Sequence, residues 1–373
     1  MILTTCPACA APLAHDAPRC VRCKLRYCDS TCQHDHWRRG HKQMCKKIHR
    51  GGNAEQYNAD KKYKEAVAVA VEKCADDTKG QTCYICTQAL HWKTKEGLIR
   101  GCACRGTAGF AHLSCLAEQA KILVAEAEEN NWDKAGNERW KRWYSCSLCE
   151  QEYHGVVRGA LGWACWKAYL GRPETDRPRQ LAMNVLGMGL HEVEHYEDAL
   201  SVQEAELAMK RRIGASEHEL LAVQNNLART YAKTGRFEDA VRTSRDVYSG
   251  RLRVNGEEHE STLRAANNHA SFLIDLRRYK ETKPVLRKII PAARRVLGES
   301  HHLTILMKMN YAAALYQDRG ATLDDLREAV TTLEELEPIA RRVLGGQHPL
   351  LVMIEDRLRN ARAREAGVPM EPI

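Results

Sequence analysis

Sixteen cysteines in 373 residues, a hydrophobic share of 44% and a formal net charge of +9 describe a chain long enough for two or three domains and apolar enough to bury a core. No run approaches the ~18 to 20 uninterrupted apolar residues of a membrane span, and the opening MILTTCPACAAPL lacks the basic region and long apolar core of a secretory signal. These features argue against a membrane-spanning or secreted class and make a cytoplasmic or nuclear chain the expectation, in which cysteines serve as metal ligands rather than disulfides. All sixteen lie before residue 166, and with only three Phe and abundant Ala, Leu and Glu the chain favours helix over sheet.

The first fifty residues carry ten Lys/Arg against three Asp/Glu, which raises the question of nucleic acid. A metal-bound cysteine is a thiolate, so fourteen thiolates on four Zn²⁺ would lower the formal charge from +9 to +3. The basic excess reads as a solvated face that offsets charge in the metal sites, not as a nucleic-acid surface.

In chain order, the first module presents C-x2-C, C-x2-C, C-x3-C and H-x3-C: Cys6, Cys9, Cys20, Cys23, Cys28, Cys32, His41 and Cys45. Two intervening residues let a short turn aim both sulfurs at one tetrahedral ion, and three place a pair one helical turn apart. Eight ligands make two closed four-ligand sites, which are structural because no position is left for water or substrate. In so small a module the metal supplies folding free energy. The string CVRCKLRYCDSTCQHDHWRRGHKQMC, with its pairs Tyr27-Cys28, Cys32-Gln33 and His36-Trp37, resembles a MYND zinc finger. The resemblance implies interleaved sites, Cys6, Cys9, Cys28 and Cys32 on one ion and Cys20, Cys23, His41 and Cys45 on the other. His34 and His36 compete with His41, which fits the terminal H-x3-C. It also implies a groove for a proline-containing peptide at Gln33 and Trp37; the other reading of Trp37 is packing onto the zinc core. Some MYND proteins are lysine methyltransferases, but the SET-domain signatures are absent from this sequence.

After RGGN at 50–53, a helix is expected from about Glu55 to Cys74, and then a second cysteine-rich module over 83–152. Its ligands are Cys83, Cys86, Cys102, Cys104, His112, Cys115, Cys146 and Cys149, again enough for two closed sites. The order is shared with PHD fingers, but C-x-C-x7-H-x2-C, with Trp143 three residues before Cys146, resembles the RING-CH family. That resemblance implies Cys83, Cys86, His112 and Cys115 on one ion and Cys102, Cys104, Cys146 and Cys149 on the other. It further implies docking of a ubiquitin-conjugating enzyme, with Ile85 as the apolar contact. The sequence departs from the family at Gln119, where a Trp is usual, at Ser147, where Pro is usual, and at Glu150, where a basic residue is usual. The gap from Cys115 to Cys146 is long and holds a helical run and the Trp-rich NERWKRWYSC.

GVVRGALGWACWKAYL reads as a buried helix, interrupted by Arg158 and Lys167 and therefore no membrane anchor. Neither Cys74 nor Cys165 has the neighbours of a catalytic thiol. From about Arg179 the chain repeats in steps close to 42 residues, joined by GASEHELL, NGEEHEST, LGESHHLT and LGGQHPLL. Each unit is a pair of amphipathic helices, the second starting near Tyr196, Phe237, Tyr279 and Leu323; such units stack into a solenoid. NNLARTYAKTGRFEDA and RRVLGGQHP resemble tetratricopeptide repeats of the kinesin-light-chain type, which implies a protein- or peptide-binding groove. Asn184, Asn226, Asn268 and Asn310 recur every 42 residues in the first helices. Their amides could grip an extended peptide backbone or hydrogen-bond between helices to fix the stacking.

The expected fold is thus mainly α: two small double-zinc modules of interleaved ligands (1–46 and 83–152) separated by a helical linker (47–82), then a docking helix (153–178), four repeats (179–347) and a capping helix (348–373). The expected function is that of a zinc-binding interaction protein. In its stronger form it is a RING-type ubiquitin ligase whose repeats and first finger recruit substrate; the alternative is a scaffold that transfers nothing, and a third reading, a nucleic-acid-associated regulator, rests on basic charge alone.

Overall fold

A computed structural model of the chain describes residues 5–11, 13–14, 16–132, 134–345 and 348–367. Parts of the expected first module (residues 1–4, 12 and 15), of the last repeat join (346–347) and of the tail (368–373) lie outside these residues. The protein is mainly α. Among the described residues there is no strand, only isolated antiparallel bridges between Arg19 and Arg26, Ile99 and Ala111, and Ser145 and Glu152. Two compact units divide at Gly214/Ala215.

The first unit opens with the loops of the first cysteine cluster, then α1 (Ser30–His36), a wide turn over Trp37–His41 and α2 (Lys42–Arg50). Asp29 caps α1 by accepting from Cys32 N. Gly40, at φ 115°, breaks the helical path before His41, a conformation that glycine adopts without steric cost. α3 (Ala54–Lys73) follows, with Asn53 as its cap; the helix expected from Glu55 to Cys74 is there.

The second cluster carries α4 (Leu113–Glu129) and α5 (Lys134–Trp140) between its ligands. That insertion is a wall of core. Trp140 and Trp143 pack on Tyr169 of α6 (Gly155–Tyr169), with ring centroids 5.5 and 5.8 Å away. α6 is buried nearly all round, which suits its mostly apolar composition. Its two cations are matched inside the protein. Arg158 donates to the Tyr144 carbonyl at 2.9 Å and lies over the Tyr144 ring, and Lys167 pairs with Asp60 at 2.9 Å. No helix among the described residues is long and apolar enough to cross a membrane. α6 meets α7 (Arg177–Glu192) backbone to backbone. A Cβ on Gly189 would stand 2.9 Å from the Arg158 carbonyl, and one on Gly162 3.2 Å from that of Val185. α7 and α8 (Tyr196–Arg212), the first helix pair of the repeat pattern, complete this unit and share its tryptophan-rich core.

The second unit runs from α9 to α15: α9 (Glu217–Lys233), α10 (Phe237–Asn255), α11 (Glu260–Asp275), α12 (Tyr279–Leu297), α13 (His302–Tyr316), α14 (Leu323–Leu344) and α15 (Pro349–Glu365). Each packs on the next, as in a solenoid of helical hairpins. The second helices begin at Tyr196, Phe237, Tyr279 and Leu323, and α15 closes the array. The joins are helix stop–start signals. Gly256, Gly298 and Gly345 end helices at φ 80°, 89° and 86°. His259, His301 and His348 then cap the next helices by accepting from Ser261, Leu303 and Leu350 N.

Candidate metal centres and the surfaces beside them

Each C-x2-C closes a tight knuckle. The first cysteine's N–H donates five residues ahead and its carbonyl accepts from four ahead: Cys6 N to Ala11 O and Ala10 N to Cys6 O, both 2.8 Å. The same pair of bonds recurs at Cys20, Cys83 and Cys146. The closing residue is left-handed every time, at Ala10, Lys24, Thr87 and Glu150 (φ 60°, 63°, 61° and 56°). The fold also forms a fifth knuckle at His91, where Lys95 has φ 59° and Thr94 stands in the second ligand position. There Thr94 N–H donates to His91 Nδ1 at 3.1 Å, and the His91 ring packs edge-on against His112 at 5.4 Å. His91 belongs to none of the ligand groups.

The sixteen candidate ligands converge in four groups: Cys6, Cys9, Cys28 and Cys32; Cys20, Cys23, His41 and Cys45; Cys83, Cys86, His112 and Cys115; and Cys102, Cys104, Cys146 and Cys149. Within each group the donor atoms lie within 4.8 Å of one another. The groups interleave along the chain within each of the two cysteine-rich modules. Tetrahedral Zn²⁺ with bonds of about 2.3 Å requires sulfur–sulfur edges of about 3.8 Å. Cys9–Cys28, Cys9–Cys32, Cys20–Cys45 and Cys104–Cys146 measure 3.6, 3.7, 3.8 and 3.8 Å. The shorter zinc–nitrogen bond shortens the mixed edge, and Cys23–His41 and Cys86–His112 measure 3.4 and 3.3 Å. These residues fit zinc in donor type, number and spacing, and a closed all-protein shell leaves the ion no catalytic position.

The histidines are oriented for the task. His112 presents Nδ1 to Cys86 and Cys115, while Nε2 faces the Ala89 carbonyl at 3.3 Å, the outer-shell bond that fixes a ligand tautomer. His41 presents Nε2 to Cys23. His36 stacks on His41 at 4.6 Å and accepts or donates a bond at Tyr27 Oη, 3.0 Å from Nδ1, so it braces the ligand. His34 is exposed and outside the group. One thiol in each group is prepared to ionise. Burial opposes it at Cys6, yet N–H bonds from Cys28, Ala8 and Cys9 bring that thiol down to about 6. Cys149, by the same balance with Gln151 N–H, comes down to about 7. Cys20 and Cys83 are lowered likewise against burial, by the N–H groups of their own knuckles first. The other two cysteines stay outside the centres: Cys74 donates to the Arg100 carbonyl at 3.6 Å, and Cys165 is wholly buried, which pushes its thiol up.

Around the second pair of centres, Ile85 is 37% exposed at one knuckle tip and Leu148, a residue the sequence reading passed over, 51% exposed at another. Tyr84 Oη and Ser147 Oγ, 3.1 Å apart, tie those two knuckles together. Gln119 is half-buried on α4, and Glu150 accepts from Arg142 at 2.5 Å. On the first module, Trp37 is exposed, with its ring edge-on to His41 at 6.0 Å, and Gln33 lies half-buried one turn earlier.

The four asparagines fall on first helices but are not equivalent. Asn184 hydrogen-bonds Glu206. Asn268 Nδ2 donates to Asn225 Oδ1 at 3.0 Å, and Asn310 Nδ2 to Asn267 Oδ1 at 3.2 Å. Asn310 is buried and also accepts from Arg357. Asn226 is half-buried, and its carbonyl accepts from Thr230.

Residues 83–149 match the RING-variant domain family, and residues 220–261 and 262–303 each match the tetratricopeptide repeat family. The protein therefore contains a RING-variant domain and tetratricopeptide repeats. A stretch of 50 residues is 46% identical to ubiquitin carboxyl-terminal hydrolase 17 of Arabidopsis thaliana; it amounts to 13% of this chain and spans only 7% of that relative's length. Among solved structures, a Podosopora anserina protein of kinesin-light-chain TPR-like repeats is 20% identical over 63% of this chain and 99% of its own, with a TM-score of 0.42. BtubC from P. vanneervenii is 15% identical over 70% of this chain and 95% of its own, with a TM-score of 0.38. At these scores the likenesses bear on neither ligand nor partner.

Proposed function

We propose that this chain is a RING-type ubiquitin ligase of adaptor build, in which the RING-variant domain docks a charged ubiquitin-conjugating enzyme and the helical repeats hold the substrate. The observation that carries this reading is the pair Ile85 and Leu148, two exposed apolar side chains at the tips of knuckles that belong to different centres and are tied by Tyr84 and Ser147. An apolar pair on a metal-stiffened scaffold is a pre-organised docking surface. Such a domain needs no reacting group of its own: it holds the partner's thioester in a geometry open to attack. Glu150 stands where a basic residue would contact ubiquitin, and Arg142 beside it is occupied by the Glu150 carboxylate. That pair favours a slow ligase over a fast one, and in the limit a scaffold.

The first module reads as a MYND-type finger that presents Trp37 and Gln33 to a proline-containing segment, since an exposed indole packs well on a proline ring. Four closed centres imply four zinc ions per chain.

The test is autoubiquitination with a panel of conjugating enzymes. Activity should appear with the wild type and vanish in Ile85→Ala and Leu148→Ala while metal analysis still returns four zinc. No activity across the panel would leave the scaffold reading. Activity that survives both substitutions would remove this face from the mechanism.

A further inference from the structure

Inside the first unit, a cavity of about 390 Å³ opens beside the Cys20 knuckle, and four cations line it: Arg19, Lys24, Arg26 and Arg179. None of the four makes an ion pair among the described residues. Arg26 is pinned instead by the Ala14 carbonyl and Arg179 by the Arg172 carbonyl, and the Nε of each is buried without a partner. Anchoring a guanidinium on a neutral carbonyl fixes its direction and leaves its charge uncompensated. The acidic lining is weaker. Glu174 is already held by Arg212 at 2.9 Å, which leaves Glu55. A zinc ion on three thiolates and His41 would add one negative charge nearby, which still leaves cations in excess. An adjoining cavity of about 250 Å³ shares Arg26, Arg179, Glu55 and Glu174 and is also lined by Trp166 and Met209, apolar groups that strengthen charge interactions across it.

We infer that this cavity is a binding site for a compact polyanion, a small molecule bearing two or more phosphate groups. A monovalent carboxylate would leave most of the cations unmatched. Guanidinium forks match phosphate geometry, and lysine adds a point charge. Arg19 and Lys24 are exposed and Arg26 and Arg179 half-buried, so a ligand with two or more phosphates can meet both pairs. Nothing in the ligase reading depends on this site.

The test is calorimetric titration of the zinc-loaded full chain with pyrophosphate, and with orthophosphate at matched ionic strength. One pyrophosphate per chain should bind about tenfold or more tighter than orthophosphate. Arg26→Gln with Arg179→Gln should weaken it by about tenfold or more, and so should Arg19→Gln with Lys24→Gln, whose exposed positions leave the fold intact. Glu55→Gln should tighten it. Zinc analysis after each titration separates chelation, which acts equally on wild type and variants. No saturable heat, or equal affinity in all variants, would overturn the site. A doubly phosphorylated peptide that displaces pyrophosphate at lower concentration would overturn the small-molecule assignment in favour of a protein partner.

Discussion

The phenolic oxygen of Tyr84 lies 3.1 Å from the hydroxyl of Ser147, and this one bond joins the first and last ligand pairs of the RING-variant domain. Each residue follows the first cysteine of its pair, so the bond sets the neighbouring tips, Ile85 and Leu148, in fixed register. The family's usual proline at the Ser147 position could not accept or donate it. Tyr84→Phe should therefore keep four zinc and lower stability by about 1 kcal/mol, the net worth of one such bond. It should also slow ubiquitin discharge from a cognate conjugating enzyme. Single-turnover discharge at equal zinc content decides the matter; an unchanged rate would mean that the metal alone sets the register.

Thr87 closes the Cys83 knuckle at φ 61°, a region that a β-branched side chain rarely enters. The left-handed conformation costs an L-residue about 1–2 kcal/mol, and glycine avoids it while losing more entropy on folding. Thr87→Gly should therefore raise the stability of the zinc-loaded module by up to about 1 kcal/mol. Chelator competition or thermal melting would show it, and a lower melting temperature would contradict the strain argument.

Much of this architecture is written in short-range patterns. Cysteine spacings carry the centres because a knuckle is a local structure, with bonds spanning four and five residues. Helix starts at Tyr196, Phe237 and Tyr279 are legible because HYEDAL, RFEDAV and RYKETK repeat one pattern, and those of α9, α11, α13 and α15 because the same join recurs four times. What could not be read is set by contacts distant in sequence. The long gap between Cys115 and Cys146 looked like a departure from its family, yet it builds the core in which Trp140 and Trp143 meet Tyr169. The density of tryptophans at 132–143 and 163–166 was the available signal. The split of the repeats, with α7 and α8 in the first unit, follows from glycine-mediated contact between α6 and α7, visible beforehand only as glycines in GALG and GMG. Each repeat join carries a histidine in the sequence, but the capping role of His259, His301 and His348 rests on backbone geometry that the sequence does not show.

The asparagine series gives a sharper case. The sequence shows a 42-residue period, whereas the bonds span 43, from Asn268 to Asn225 and from Asn310 to Asn267, in each case to the first Asn of the doublet one repeat earlier. Asn310 is buried between Asn267 and Arg357, so its donor is already committed to the stack. Asn310→Ala should cost about 1–3 kcal/mol, since it strands a buried carboxamide and weakens the hold on a guanidinium. Asn226→Ala should cost less than about 0.5 kcal/mol, as expected away from such networks. Denaturant midpoints of the full chain would check both, and equal values would return Asn310 to the role of a free ligand grip.

Glu206 lies on α8, 1% exposed, and burial pushes its carboxyl up to about 8 against the opposing pulls of Lys210 and Asn184. Lys210 on the same helix donates to Gln180 of α7 at 3.3 Å and also pulls the Glu206 carboxyl down, without offsetting burial. The folded-state value is raised above the ordinary one of 4.5. Between about pH 4.5 and pH 8 the folded chain therefore keeps a proton that the unfolded chain releases, and stability falls as pH rises through that window. Glu206→Gln removes the titration. Relative to wild type it should be near neutral at pH 5 and stabilising by about 2 kcal/mol at pH 8, a discount on the full linkage value because Lys210 remains close. Melting temperatures of both proteins at the two pH values give the comparison. A difference that does not grow with pH would show an ionised Glu206 held by Lys210 throughout the range.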